Sequence, residues 1–192
     1  MSNSESDLSD EKLAEMVQKG DTEKFGVLME RYQPKLFRYG RKFLSDKDNI
    51  EDVVQDVFIK TYKNIQSFNT SQRFSPWIYR IAHNTYVNAL KKNALSPLYL
   101  FDFDTILSHT VTENDDPIVR EREQKEVKEV VDKVLSKIDP KYREILVLYY
   151  IEEFSYKEIA EILQIPIGTV GVRIMRAKEM MKQEYDKLNI EK

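Results

Sequence analysis

Arg80, Asn84, Asn88 and Lys91 recur at steps of four, four and three residues, a spacing that places them on one face of a helix. Phe68, Arg73, Phe74, Trp77, Tyr79 and Tyr86 stand around them. Cations follow a phosphate backbone, aromatic rings stack on unpaired bases at ~1–3 kcal/mol each, and Asn reads base edges. The set therefore suits single-stranded or unstacked nucleic acid. Aromatics at helical spacing also fill cores, and taken alone that is the commoner reason for them.

A second set lies near the C-terminus. Gln164 to Lys182 holds four bases (Arg173, Arg176, Lys178, Lys182) against one acid, on a helix led by Gly168 and Thr169. A shorter helix precedes it, opened by the capping box Ser155-Tyr156-Lys157-Glu158. Between the two, Gln164 to Pro166 makes a brief turn, and Ala160 is small where the helices cross. This is a helix-turn-helix pattern, whose basic second helix can enter a major groove with Thr and Arg on base edges and phosphates. An ordinary helical hairpin with a solvated basic face is the alternative.

The third set is acidic. Glu51, Asp52, Gln55 and Asp56 share a face opposite the apolar stripe Val54, Val57, Phe58, Thr61 and Ile65. It can be a docking face for a basic partner or a favourable charge at a helix N-terminus. A metal site is a weaker reading, because no His or second carboxylate motif accompanies it. For catalysis there is little. His83 and His109 are isolated, and neither a glycine-rich phosphate loop nor a nucleophile elbow is present. The chain reads as no enzyme, with no cofactor and no metal.

These sets need elements to hold them. The 192 residues carry 33 acids and 30 bases, a net charge of -3, with 41% apolar and 11% aromatic residues, enough for compact cores. Five Gly and six Pro are few, so an all-α fold is expected. Zero Cys excludes disulfides, thiolate zinc and Cys nucleophiles, and fits a reducing cytoplasm. Neither a signal-peptide pattern nor a membrane span is read from the sequence.

Helix starts are expected at Ser9 or Asp10, at Asp48 with Glu51 as a capping box, at Ser75-Pro76, at Asp139-Pro140 and at Ser155. Gly20 should stop the first helix, and Pro34 should kink or break the second. Ile118 to Ile138 should be a charged helix with Val127, Val130, Val134 and Leu135 on its apolar stripe. Leu95 to Pro117 has Pro near both ends, five acids and no Lys or Arg, which marks an acidic flexible linker between two small helical domains at 1–94 and 118–192.

In this order and spacing the three sets resemble the ECF (extracytoplasmic function) group of bacterial RNA polymerase sigma factors. The resemblance runs from about Leu13 to Lys182 and is most specific at Asp48 to Phe58, at Phe74 to Asn84, and at Leu146 to Arg176. It implies a sigma region 2 helical bundle, a linker at 95–117 threading polymerase channels, and a sigma region 4 helix-turn-helix. By position, Glu51, Asp52, Gln55, Asp56 and Phe58 would dock on core RNA polymerase. Phe68 and Asn84 would line a pocket for a flipped base of the -10 element, with Arg73, Trp77, Arg80, Asn88 and Lys91 supporting strand opening. Lys157, Gly168, Thr169, Val172, Arg173, Met175 and Arg176 would serve the -35 duplex. Gly171 departs from the family, which commonly carries Lys or Arg there. The implied partners are core RNA polymerase, promoter DNA and an anti-sigma factor, commonly membrane-bound. The other readings are a two-domain helix-turn-helix regulator binding duplex DNA only, and a helical adaptor without a nucleic-acid role. Lys141 to Lys192 balances nine bases with nine acids, so weak DNA affinity without polymerase is expected.

Overall fold

The computed structural model describes residues 8–41, 43, 44, 46–93, 130, 131 and 133–190, and the proposed linker at 95–117 lies outside them. So do His109 and the 118–129 portion of the expected charged helix; residues 130–137 are helical as far as described. Among the described residues there are helices and no strand. Four helices form the first half: α1 (Asp10–Gln18), α2 (Glu23–Gly40), α3 (Lys47–Asn64) and α4 (Phe74–Asn93), with a 3₁₀ turn at Ile65–Ser67. The second half contains α5 (Pro140–Tyr150), α6 (Tyr156–Leu163) and α7 (Ile167–Ile190).

Most helix starts follow their capping chemistry. The Ser9 hydroxyl accepts from Lys12 N, Asp139 from Lys141 N, and the Ser155–Glu158 capping box is complete in both directions. Gly20 lies just beyond α1 with φ +103°, a conformation open to glycine. Three starts differ by a residue or two. Asp46, not Asp48, caps α3, its side chain accepting from Asp48 N, so Asp48 is an acid inside the first turn. Helix α4 begins at Phe74, whose N–H is taken by Glu11 Oε1 at 2.9 Å; a carboxylate from another helix supplies the cap, and Ser75 and Pro76 sit inside the first turn. Helix α7 begins at Ile167.

Pro34 does not break α2, which runs through it to Gly40. The missing N–H leaves the carbonyl of Glu30 without its helical donor, and both residues are exposed, so water can replace the bond. The apolar stripes converge as their periodicity requires. Leu13, Leu28, Leu36, Val57, Ile78 and Ala82 are essentially inaccessible. Asp10 ties α1 to α2 by accepting from Arg31 Nη1 at 2.7 Å and from the Tyr32 hydroxyl at 2.6 Å.

Two features join helices closely enough to be brittle. Arg143 is 1% exposed, and its Nη2 donates to the carbonyls of Ser136 and Ile138, satisfying the end of the helix over 130–137. Gly40 faces the phenol of Tyr86, whose hydroxyl donates to Leu36 O at 3.1 Å while its ring stacks on Phe43. A methyl group at position 40 overlaps that ring. Gly40→Ala is expected to cost about 2–3 kcal/mol of overpacking, read as a lower urea midpoint at unchanged slope. A smaller phenol-to-small change at Tyr86 in the same chain should recover part of it.

Candidate nucleic-acid interface

Helix α4 carries the first candidate set as the spacing predicts. Arg80, Asn84, Asn88 and Lys91 are all exposed, while Phe74, Ile78, Ala82, Thr85 and Tyr86 are buried on the opposite side. Phe68 sits at the N-terminal end of this stripe, only 4% exposed, its ring 5.3 Å from Phe74 and 5.0 Å from Trp77. The loop before α4 is held by short polar bonds. Gln18 Nε2 donates to the carbonyls of Ile65 and Phe68 at 2.7 and 2.8 Å, and Asn69 Oδ1 accepts from the Ser71 N–H and hydroxyl. This Asx turn aims Gln72 and Arg73 outward, where both are exposed.

Helix α3 presents Glu51, Asp52, Gln55 and Asp56 to solvent, with Lys47 3.5 Å from Glu51. Phe58 lies beneath them, 5% exposed and edge-on to Phe25. Ile59 and Tyr62 are 45% and 44% exposed and fall seven residues after Asp52 and Gln55, two helical turns along the same face. They add an apolar end to the acidic face. The reading from sequence missed them, although the seven-residue spacing was there to find.

On α7, Val170, Ile174 and Ala177 are buried against α6, which turns the remaining faces outward. Val172 and Met175 are 45% and 54% exposed, Gly168 and Arg176 are exposed, and Thr169 and Arg173 are half-buried. Gln164 makes the turn possible by adopting φ 53°, closing α6 with a bond from its N–H to Ala160 O. Gly171 lies 3.6 Å, for an added Cβ, from Cε2 of Tyr156, which is ordinary contact.

The structure also brings the first and second candidate surfaces together. A cleft of about 590 Å³ separates α4 from α6, lined by Gln72, Arg73, Trp77 and Arg80 on one side and Lys157, Glu158 and Glu161 on the other. Arg73 Nη1 reaches Glu158 Oε1 at 2.5 Å across it. Burial pushes the Glu158 carboxyl up, but bonds from the Ser155 hydroxyl and N–H, with Arg73, outweigh this and hold it below the usual carboxylate range. A depressed carboxyl stabilises the fold above its unfolded pKa and loses that contribution as pH falls through the folded value. Ser155→Ala should therefore cost about 1 kcal/mol near neutral pH and less in acid, where Glu158 is protonated. Urea midpoints at about pH 7 and about pH 3 test this.

The Sigma-70 region 2 family matches residues 28–95, and the Sigma-70, region 4 family matches residues 128–181. The chain is 33% identical over 183 residues to the ECF RNA polymerase sigma factor SigW of Bacillus subtilis, covering 90% of this chain and 95% of the relative. It is 35% identical over 185 residues to the ECF RNA polymerase sigma-E factor of Haemophilus influenzae, covering 94% and 97%. Among solved structures, CnrH in complex with the cytosolic domain of CnrY superposes with a TM-score of 0.66 at 24% identity, over 93% of this chain and 97% of that one. RpoE of Bartonella quintana, bound to the anti-sigma factor NepR, gives 0.60 at 20% identity over 84% and 96%. With two halves matching regions 2 and 4 in order, and relatives aligned along nearly their whole length, the chain belongs to the ECF group of RNA polymerase sigma factors.

Proposed function

We propose that this sigma factor docks on core RNA polymerase through the exposed face of α3, captures the melted -10 strand along α4, and reads the -35 duplex with α7. The observation that carries the reading is the acid-free stripe Arg80, Asn84, Asn88 and Lys91, exposed on a helix whose opposite face is buried. Rigid cations and amides at helical intervals track a phosphate backbone, and the half-buried ring of Trp77 at its end, backed by the buried Phe68, can stack on a displaced base. Residues 1–94 would act as region 2 and 118–192 as region 4, joined by 95–117.

Glu51, Asp52, Gln55 and Asp56 supply charge for docking, while Ile59 and Tyr62 supply apolar area beside Phe58. Gly168, Thr169, Val172, Arg173, Met175 and Arg176 supply donors and apolar contacts for a major groove, with Lys157 on the preceding helix for phosphate. Such a subunit performs no covalent chemistry and works in the cytoplasm, where polymerase is. CnrH and the Bartonella RpoE are seen with CnrY and NepR, which supports an anti-sigma factor as a further partner here.

Run-off transcription of genomic fragments by purified core polymerase tests the reading. New start sites should appear only with the protein, and Asn84→Ala and Arg176→Ala should each weaken them about tenfold, a loss of ~1–3 kcal/mol of base readout. A protein that shifts palindromic duplex alone and adds no initiation would instead be a helix-turn-helix regulator. Position 171 gives an independent check, because an added side chain clears Tyr156. Gly171→Arg should tighten duplex binding and steepen the logarithmic salt slope by ~0.9 for one added phosphate contact. An unchanged slope contradicts a phosphate-facing position.

A further inference from the structure

Helix α1 holds both ends of the segment that joins α3 to α4. The half-buried side-chain amide of Gln18 donates from one nitrogen to the carbonyls of Ile65 at 2.7 Å and Phe68 at 2.8 Å. Two carbonyl acceptors require the NH₂ group at that point and not the amide oxygen. Gln66 returns a bond, donating from Nε2 to Gln18 O at 3.1 Å, at the end of α1 where a helix leaves its carbonyls open. At the other end of the segment Glu11 Oε1 takes the Phe74 N–H. Helix α1 is itself fixed, with Leu13, Ala14 and Val17 buried and Asp10 bonded to Arg31 and Tyr32 of α2.

Phe68 depends on this arrangement. It leaves the 3₁₀ turn Ile65–Ser67 with φ -71° and ψ 129°, an extended conformation in which no helix takes up its carbonyl, and Gln18 supplies the donor instead. Fixing that peptide fixes the direction of the Phe68 ring, which meets Phe74 at 5.3 Å and Trp77 at 5.0 Å. On the promoter reading above, this pocket receives a base of the melted -10 strand. We propose that, given that reading, Gln18 and Glu11 are positioning residues for base selection. They act through the peptides at Ile65, Phe68 and Phe74, and hold the pocket wall and the start of α4 in one geometry before DNA arrives. A preformed pocket loses no binding energy to ordering itself, and its preference for one base over another depends on that geometry being narrow.

Run-off reactions with the full chain and core polymerase locate a promoter, and templates carrying the other bases at each -10 and -35 position then give a discrimination ratio for each. Gln18→Met keeps the side-chain length and removes both donors. It should lower discrimination about fivefold at the base captured beside Phe68 while leaving the -35 ratios unchanged. Trp77, the single tryptophan, reports on the same pocket without polymerase, and its acrylamide quenching should rise about twofold in Gln18→Met as the segment opens locally. Val17→Ala removes buried apolar area at the neighbouring position and none of these bonds, so even with a lower urea midpoint it should keep the wild-type ratios. Glu11→Gln retains an acceptor for the Phe74 N–H and should keep discrimination, whereas Glu11→Met should lose it. Intact -10 ratios in a folded Gln18→Met, a uniform loss at every promoter position, or an equal loss in Val17→Ala overturns the proposal. Matching behaviour of the two Glu11 variants overturns it for the α4 end, and this pair is decisive even where Gln18→Met does not fold. If the wild type initiates nowhere, the promoter reading falls, and Trp77 quenching still decides whether Gln18 holds the pocket.

Discussion

Helix α4 can offer a polar stripe to nucleic acid only because the rest of its circumference is buried on two sides. Ile78, Ala82 and Tyr86 face α1 to α3, and Tyr79 turns to Phe154 and Glu152 of the second half. A helix packed on two sides has little freedom to roll, so Arg80, Asn84, Asn88 and Lys91 are held in a fixed row. Burial at ~25 cal/mol per Å² of apolar surface supplies the driving force, and the aromatic density of α4 makes it large. Gly40 is part of this arrangement, since α2 can approach the Tyr86 phenol closely only where no Cβ intervenes.

Electrostatics then decides what the packed body can do. A net charge of -3 hides an acidic face on α3, an acid-free stretch from Arg73 to Asn93, and a basic run along α7. Two cations nearest the second half are neutralised internally, Arg38 by Glu152 and Arg73 by Glu158. The two pairs differ in kind. Arg73 is 65% exposed and its pair is screened, whereas the Glu152 side chain is almost wholly removed from water and its oxygens are met by Arg38 and Tyr79. That difference makes Glu152, not Glu158, the better candidate for holding the halves together.

The helix-turn-helix shows local chemistry at work with little tertiary help. Ser155 and Glu158 satisfy each other's backbone groups, and Gln164 adopts a left-handed conformation that turns the chain. Val170, Ile174 and Ala177 then pack inward, which leaves Val172, Met175 and Arg176 exposed without any further constraint.

The sequence by itself determined the helical class, the three chemical faces, nearly every helix and the family resemblance, because 3.6-residue periodicity and side-chain caps are local properties. It placed Val54, Val57, Phe58, Thr61 and Ile65 on one stripe, and all are buried. It also predicted the Ser155 and Asp139 caps. It misplaced the starts of α3 and α4, and of the kink or break expected at Pro34 the break does not occur. Asp46 competes with Asp48 from two residues away, and Glu11 caps α4 from sixty-three residues away. Whether a proline breaks a helix depends on whether water reaches the freed carbonyl. Only the tertiary structure decided that Glu144 and Glu152 would be buried. In the sequence they are ordinary acids flanking the apolar run Ile145 to Ile151, and their partners Tyr39, His83, Arg38 and Tyr79 lie in the other half of the chain, where no periodicity reaches.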